Sequence, residues 1–267
     1  MPVDLNGARV LLTGATGGLG NAIARGLHAR GAHVTVSGRR EEPLRELADE
    51  LGDRIDPVVA DLAQADDVRA LVDRAGRVDV FVANAALPGS GALESYSAEQ
   101  IDRGIDVNLR APMQITRAVT GGMAERGSGH VVLIGSMSGK VPAAYGSVYS
   151  ATKFGLRGFG LSLADELHGT GVGVSIVSPG FISEVGMYAS SGVKLPAGVG
   201  TKKPDDVVRA VVTAIEKGRT EADVAPVSFR AGSRLYGVAP SLVAAIQRRW
   251  GGHDVAKALA DAQADQR

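Results

Sequence analysis

The sequence predicts an α/β protein, a doubly wound and mostly parallel sheet covered by helices in three layers. Three observations predict it. Short β-branched runs alternate with longer amphipathic stretches along the chain. Several of those runs are apolar at nearly every position, as strands buried on both faces must be. The 36 glycines among 267 residues, about twice average usage, fall largely where strands end. Such alternation implies right-handed crossovers, and ligands of these sheets sit beyond the carboxyl ends of the strands.

In chain order, the first strand is Arg9–Thr13, followed by a glycine-rich turn and a helix over Leu19–Ala29. A second strand, His33–Ser37, leads to a helix over Pro43–Leu51, whose preceding Glu41 and Glu42 suit a helix N-terminus. Strand Pro57–Ala60 and helix Asp66–Ala75 follow, then strand Val78–Ala83. A long helical pattern, Ala98–Met123, contains Pro112. Strand His130–Gly135, helix Val148–Leu167 and strand Val172–Val177 come next. Pro204 opens a helix over Asp205–Lys217, where Asp205 and Asp206 read as a helix start. A weaker strand, Asp223–Val227, ends the pattern. Without a repeat or linker, residues 1–226 read as one unit, and residues 227–267 as a helical extension packed on it or on a partner subunit.

Composition narrows the function. Lys and Arg number 29, as do Asp and Glu, and this balance argues against nucleic acid as the main partner. No apolar run is long enough to span a bilayer, and the N-terminus lacks a signal-peptide pattern. The absence of cysteine excludes thiol chemistry and fits a cytoplasmic location. His28, His33, His130, His168 and His253 have no metal-ligand spacing, so no metal is expected.

The first strand runs into Thr13-Gly14-Ala15-Thr16-Gly17-Gly18-Leu19-Gly20. Glycines there let backbone approach a phosphate, and N–H groups at the helix N-terminus receive the anion. The second strand ends in Ser37-Gly38-Arg39-Arg40. A carboxylate at that place accepts from the ribose hydroxyls of NAD, whereas cations suit the 2′-phosphate of NADP. Gly38 stands at the acidic position, Arg39 and Arg40 follow, and Ser37 offers a hydroxyl, so NADP(H) is expected in preference to NAD(H). Glu41 and Glu42 are the competing candidates for the ribose.

Tyr149 and Lys153 stand four residues apart in a helical pattern, one turn along the same face. An ammonium beside a phenol favours the phenolate and makes tyrosine a usable acid/base. Ser136, 13 residues before Tyr149 and just past the fifth strand, is placed to donate to a substrate oxygen. Asn108 lies four residues before Pro112, which has no N–H to offer its carbonyl. The freed carbonyl could hold a water, or the feature is a simple kink.

In order and spacing, these segments resemble the short-chain dehydrogenase/reductase family over about residues 5–226. The residues that carry the resemblance are Thr13-Gly14-xxx-Gly18-x-Gly20, Asp61-Leu62, Ala83-Asn84-Ala85-Ala86, Asn108, Ser136, Tyr149-xxx-Lys153 and Pro179-Gly180. The resemblance implies a Rossmann-type sheet of strand order 3-2-1-4-5-6-7 and a catalytic tetrad. Tyr149 would exchange the proton, Ser136 hold the substrate oxygen, and Lys153 lower the tyrosine pKa and bind ribose. Asn108 would hold a relay water through its carbonyl. Asp61 and Leu62 would meet the adenine, Asn84 and Ala85 support the central strand, and Pro179, Gly180 and Ile182 flank the nicotinamide. The chain departs from the family at Ala83 and Ala86, which replace Asn and Gly, and at Glu184, where a Thr is common. It also continues about 40 residues past the usual end. The expected assembly is a homodimer or homotetramer.

The expected substrate is a ketone or secondary alcohol on a mainly apolar body. Leu87, Met137, Ser138, Val141, Ala144, Tyr145, Phe181, Met187 and Tyr188 are placed to line its pocket, under a loop over Ser183–Lys203 from which Lys194 could reach in. An NADP-binding regulator with little turnover is the alternative reading. The tail adds another: residues 227–253 carry Arg230, Arg234, Arg248 and Arg249 but no acidic residue. Leu242, Ile246 and Trp250 share a helix face there. That face could pack on the core or a second subunit, rest on an anionic membrane surface, or close a lipid-substrate entrance. The last twelve residues read as polar and frayed.

Overall fold

The computed structural model describes residues 2–195, 199–249 and 252–264. Seven strands form one sheet, ordered β3-β2-β1-β4-β5-β6-β7. They are β1 Arg9–Thr13, β2 His33–Gly38, β3 Ile55–Val59, β4 Val80–Ala83, β5 Gly129–Ile134, β6 Val172–Pro179 and β7 Glu221–Val224. Every pairing is parallel, so the sheet is wholly rather than mostly so.

The helices between them are α1 Gly18–His28, α2 Glu41–Leu51, α3 Ala65–Ala75, α4 Ala98–Ile105, α5 Ala111–Glu125, α6 Ser147–Glu166, the short α7 Gly186–Ala189, and α8 Pro204–Lys217. Strand side chains alternate between two cores. Val10, Leu12, Val80, Val82, Val132 and Ile134 face α1, α2 and α8, meeting Ile23, Leu27, Leu44 and Val211. Leu11, Phe81, Val131 and Leu133 face α3, α5 and α6, meeting Leu71, Ile115, Met123 and Leu156. This double burial explains why β1, β4 and β5 read as unbroken apolar runs.

Two strands differ from the sequence expectation. β3 begins two residues early because Ile55 pairs with Val34. Pro57 then lies inside the strand, tolerated because β3 is the sheet edge. β7 also begins two residues early, where Glu221 pairs with Ile176. Its charge hid the strand, but Arg157 and Lys140 both bond that carboxylate. The long helix pattern is α4 and α5 joined by a π-helical turn over Asp106–Arg110, where the Ala111 N–H donates to the Asp106 carbonyl five residues back.

Beyond β7 come α9 Val227–Val238, α10 Pro240–Arg249 and α11 Gly252–Ala262. The expectation of a frayed end is corrected. Ala256 and Ala260 are buried, as is Gln263, so alanines supply the packing face that larger residues usually mark. Trp250 lies outside the described residues. Its expected face-mates Leu242 and Ile246 are exposed.

Order 3-2-1-4 means that the chain leaves β1 in opposite directions on either side, opening a crevice beyond β1 and β4. Asn84, just past β4, closes the strand ends beneath it. Its amide donates to the carbonyls of Thr13 (3.0 Å) and Gly14 (3.1 Å). The Thr13 hydroxyl accepts in return from the backbone N–H groups of Asn84 and Ala85. Asn84→Ala removes two partly buried hydrogen bonds from one amide and leaves the Thr13 and Gly14 carbonyls without them. It is expected to cost about 1–3 kcal/mol, read as a lower midpoint in thermal unfolding; an unchanged midpoint would contradict this role.

Candidate active site

The glycine turn is shaped by contacts that exclude side chains. Gly14 has φ +73°, and a Cβ on it would lie 2.6 Å from the Ala85 Cα. A Cβ on Gly20 would lie 2.1 Å from the Gly14 carbonyl oxygen. Neither position leaves room to relax. α1 begins with Gly17 as its cap, without a side-chain hydrogen bond and without an acidic residue in its first turn. Its positive end thus faces the crevice unneutralised.

That crevice is a cavity of about 1110 Å³ along the carboxyl ends of the strands. At one end lie Gly14, Thr16, Gly17, Gly18, Leu19 and Gly20, with Ser37, Arg39, Arg40, Asp61 and Leu62. Arg40 donates to the Thr16 carbonyl (3.1 Å). The buried Ser37 hydroxyl has no hydrogen-bond partner among the described residues. Glu41 is held by Arg45 at 2.6 Å, and neither Glu41 nor Glu42 lines the cavity. Asp61 is engaged by Arg103 of α4, at 2.8 and 3.1 Å. Burial alone would raise the Asp61 pKa, but the Arg103 bonds, the Ala63 N–H and the charges of Arg103 and Arg39 hold it below the usual range. Arg103 escaped the sequence reading because one arginine in an amphipathic helix carries no distinguishing pattern.

At the cavity's centre are Ser136, Tyr149 and Lys153, with Asn84, Ala85, Pro179, Gly180 and Ile182. Ser136 caps a 3₁₀ turn over Met137–Gly139, and its hydroxyl oxygen accepts from the Ser138 N–H (3.0 Å). Its hydrogen is thereby left to turn toward the Tyr149 phenol, where it favours the phenolate. Lys153 is buried, donates to the Ile134 carbonyl (2.9 Å), and sits 5.6 Å from the centre of the Tyr149 ring. Burial pushes the lysine pKa down to about 8.

The expected acidification of Tyr149 is not what the free protein shows. Burial raises the phenol pKa, and the bond from Ser136 opposes it only in part. Desolvation of the phenolate dominates, and the Lys153 ammonium is itself desolvated and turned toward the Ile134 carbonyl.

Asn108 stands behind this group rather than in the cavity, buried in the π turn. Its amide accepts from the Leu87 N–H (2.7 Å) and donates to the Leu87 carbonyl (3.0 Å), so it clamps the segment after β4.

The other end of the cavity gathers Leu87, Met137, Ser138, Phe181, Met187 and Tyr188. Tyr145 does not line it. Its backbone is left-handed, φ +55°, and its ring packs against His253 at 5.1 Å. Val141 and Ala144 are also absent from the lining, and Lys194 is exposed away from it. Ile182 turns its side chain into the core, leaving its backbone toward the cavity. Glu184 points elsewhere, 3.9 Å from Lys203. The tail supplies walls that the sequence reading missed. Phe229 stacks on Phe181 (6.1 Å), Leu259 faces in, and Gln263 donates to the Met187 carbonyl (3.2 Å).

Comparison with known proteins bears on this geometry. The sequence pattern of short chain dehydrogenase matches residues 8–194. The chain belongs to the short-chain dehydrogenase family. It is 38% identical over 227 residues to the ketoacyl reductase HetN of Nostoc sp. PCC 7120, covering 82% of this chain and 79% of that protein. It is 40% identical over 178 residues to the NADP-dependent 3-hydroxy acid dehydrogenase YdfG of Escherichia coli K12, covering 65% and 72%. A crystal structure of an actinorhodin polyketide ketoreductase variant with NADPH superposes with TM-score 0.75 at 33% identity, over 84% of this chain and 98% of that one. As a member of the short-chain dehydrogenase family, the chain is an oxidoreductase with that family's Rossmann-type sheet.

The buried lysine has a consequence for stability. Its pKa falls from 10.5 in the open chain to about 8 when folded. Below pH 8 the unfolded state gains by keeping the ammonium solvated; between about pH 8 and 10.5 the unfolded chain binds more protons, so stability contributed at this site rises with pH. The unfolding midpoint of the wild type relative to Lys153→Met should therefore climb from about pH 7 to about pH 9.5. A constant difference would contradict a desolvated Lys153.

Proposed function

We propose that the protein is an NADP(H)-dependent oxidoreductase interconverting a ketone and a secondary alcohol on a mainly apolar substrate. The observation that carries this reading is one cavity joining the glycine turn and its arginines to Ser136, Tyr149 and Lys153. The cofactor fits what is present: an uncapped helix N-terminus beside close-packed glycines, a Ser37 hydroxyl unpartnered among the described residues, and two arginines, Arg39 and Arg40, lining the same cavity. Arg39 and Arg40 would hold its 2′-phosphate, with Asp61 and Leu62 at the adenine. Pro179, Gly180 and the backbone of Ile182 would flank the nicotinamide. When bound, the cofactor supplies or accepts the hydride.

The chain's own residues manage the oxygen. In reduction, Ser136 donates a hydrogen bond to the carbonyl oxygen and the protonated Tyr149 gives it the proton. The raised phenol pKa keeps that proton in place at neutral pH. Lys153 places a positive charge behind the phenol as negative charge develops there. Asn108 positions Leu87 against the substrate and, through its own carbonyl, would hold the water that reprotonates the site. Leu87, Met137, Phe181 and Met187 would contact the apolar body. Phe229, Leu259 and Gln263 of residues 227–264 would close it from outside, excluding water. The reading includes a cytoplasmic homo-oligomer, on the lack of cysteine and the family resemblance.

Tyr149→Phe tests it. Carbonyl reduction should fall by about 10²–10⁴-fold, the usual worth of a positioned acid, while NADPH fluorescence titration stays near wild type. Full turnover in Tyr149→Phe would overturn the reading.

A further inference from the structure

The tail has two sides. One closes the active-site cavity through Phe229, Leu259 and Gln263. The other is turned outward and is apolar. Eleven large apolar side chains are exposed among the described residues, and five of them lie in α9 and α10: Val227, Leu235, Val238, Leu242 and Ile246. Val238 is 83% exposed and Val227 75%.

Their spacing is ordered. In α9 the exposed positions are 227, 228, 231, 234, 235, 237 and 238, and all but Gly237 fall on one stripe along the helix. In α10 every described side chain except Val243 and Ala244 is exposed, and Leu242, Ala245, Ile246 and Arg249 share one face of it. Both helices pack on each other, yet each also turns a surface of this kind to water.

Charge says what suits that surface. From Val227 to His253 the chain carries four arginines and no acidic residue, although its total charge is zero. Arg234, Arg248 and Arg249 are exposed. A second cavity, about 950 Å³, lies between α9, α8 and β7 and extends the basic region. Its acidic residues are already answered: Glu221 and Asp223 by Lys140, Glu221 also by Arg157, and Asp206 by Arg209. Lys202 acts on Asp206, whereas Arg219, Arg230 and Arg234 line the same cavity without a salt bridge among the described residues.

We propose that α9 and α10 form a docking surface for an anionic phospholipid membrane, lying in its interface with the apolar stripe inward and the arginines at the headgroups. No described helix is long and apolar enough to cross a bilayer, so the contact is peripheral. An amphipathic helix with a basic polar margin binds in this manner. A second copy of the chain is a poorer occupant. A two-fold interface on this face would set the same uncompensated arginines against each other. Docking here would bring the outer wall of the apolar cavity to the lipid surface, where apolar carbonyl compounds concentrate. That last consequence rests on the proposed function; the docking itself does not.

The test is co-sedimentation of the full chain with vesicles of phosphatidylcholine alone, and with about one-third phosphatidylglycerol. Binding is expected only to the mixed vesicles, lost at high salt and not displaced by inorganic phosphate at equal ionic strength. Arg234→Gln and Arg248→Gln should each weaken it about fivefold. Val238→Asp and Leu242→Asp should abolish it while circular dichroism and NADPH titration stay at wild-type values. Failure to bind the mixed vesicles, or binding unaffected by both aspartates, overturns the proposal. So does displacement by inorganic phosphate, which would make the surface a soluble-anion site. A dimer that Val238→Asp splits without changing sedimentation assigns the face to a second copy and also overturns it. Because sedimentation involves no turnover, an inactive protein that still binds vesicles would count against the oxidoreductase reading alone.

Discussion

The seam between β1 and β4 is the constraint on which the site depends. The crossovers diverge there, and a crevice opens because no helix covers that point. The seam must end cleanly for the glycine turn to leave β1 at the right angle, and Asn84 with Thr13 fixes that ending by four hydrogen bonds. Gly14 and Gly20 then approach so closely that any side chain would collide with backbone. The first turn of α1, the adjoining arginines, and Tyr149 and Lys153 on α6 are all placed relative to that junction.

A second constraint is the burial of Lys153. Holding an ammonium in a nearly closed space is costly, and here one backbone carbonyl, that of Ile134, is the acceptor that the structure supplies. Burial also raises the phenol pKa of Tyr149. The same desolvation therefore pushes both groups toward their neutral forms. In the proposed reaction the phenol therefore keeps its proton, while Lys153, at about 8, is still charged at neutral pH. Charge developing on the substrate oxygen meets little competing water in such a site.

Much of this was legible in the sequence. Doubly buried strands announce themselves as apolar runs, so β1, β4 and β5 were placed within two residues of their observed ends. The glycine turn, Ser136, Tyr149 and Lys153 follow from spacing, since their chemistry demands fixed separations along the chain. What escaped depends on contacts distant in sequence. Arg103 meets Asp61 across 42 residues, and Gln263 meets Met187 across 76. Tyr145 was misplaced because a left-handed backbone at a non-glycine residue turned it toward His253. The sign of the Tyr149 shift was missed because spacing reveals a neighbouring charge but not how much water both groups lose. The last twelve residues were read as frayed because the packing face that α11 carries into them is made of alanines, which hydropathy barely distinguishes from a solvated surface.

Parallel fluorescence titrations with NADPH and NADH bear most directly on the proposed chemistry, because they probe the cofactor end of the cavity without a known substrate. NADPH should bind more tightly than NADH, and Arg39→Asp should erase the difference. Tighter binding of NADH, or a preference indifferent to Arg39, would mean that the arginines after β2 do not meet a phosphate and that the cofactor assignment is wrong.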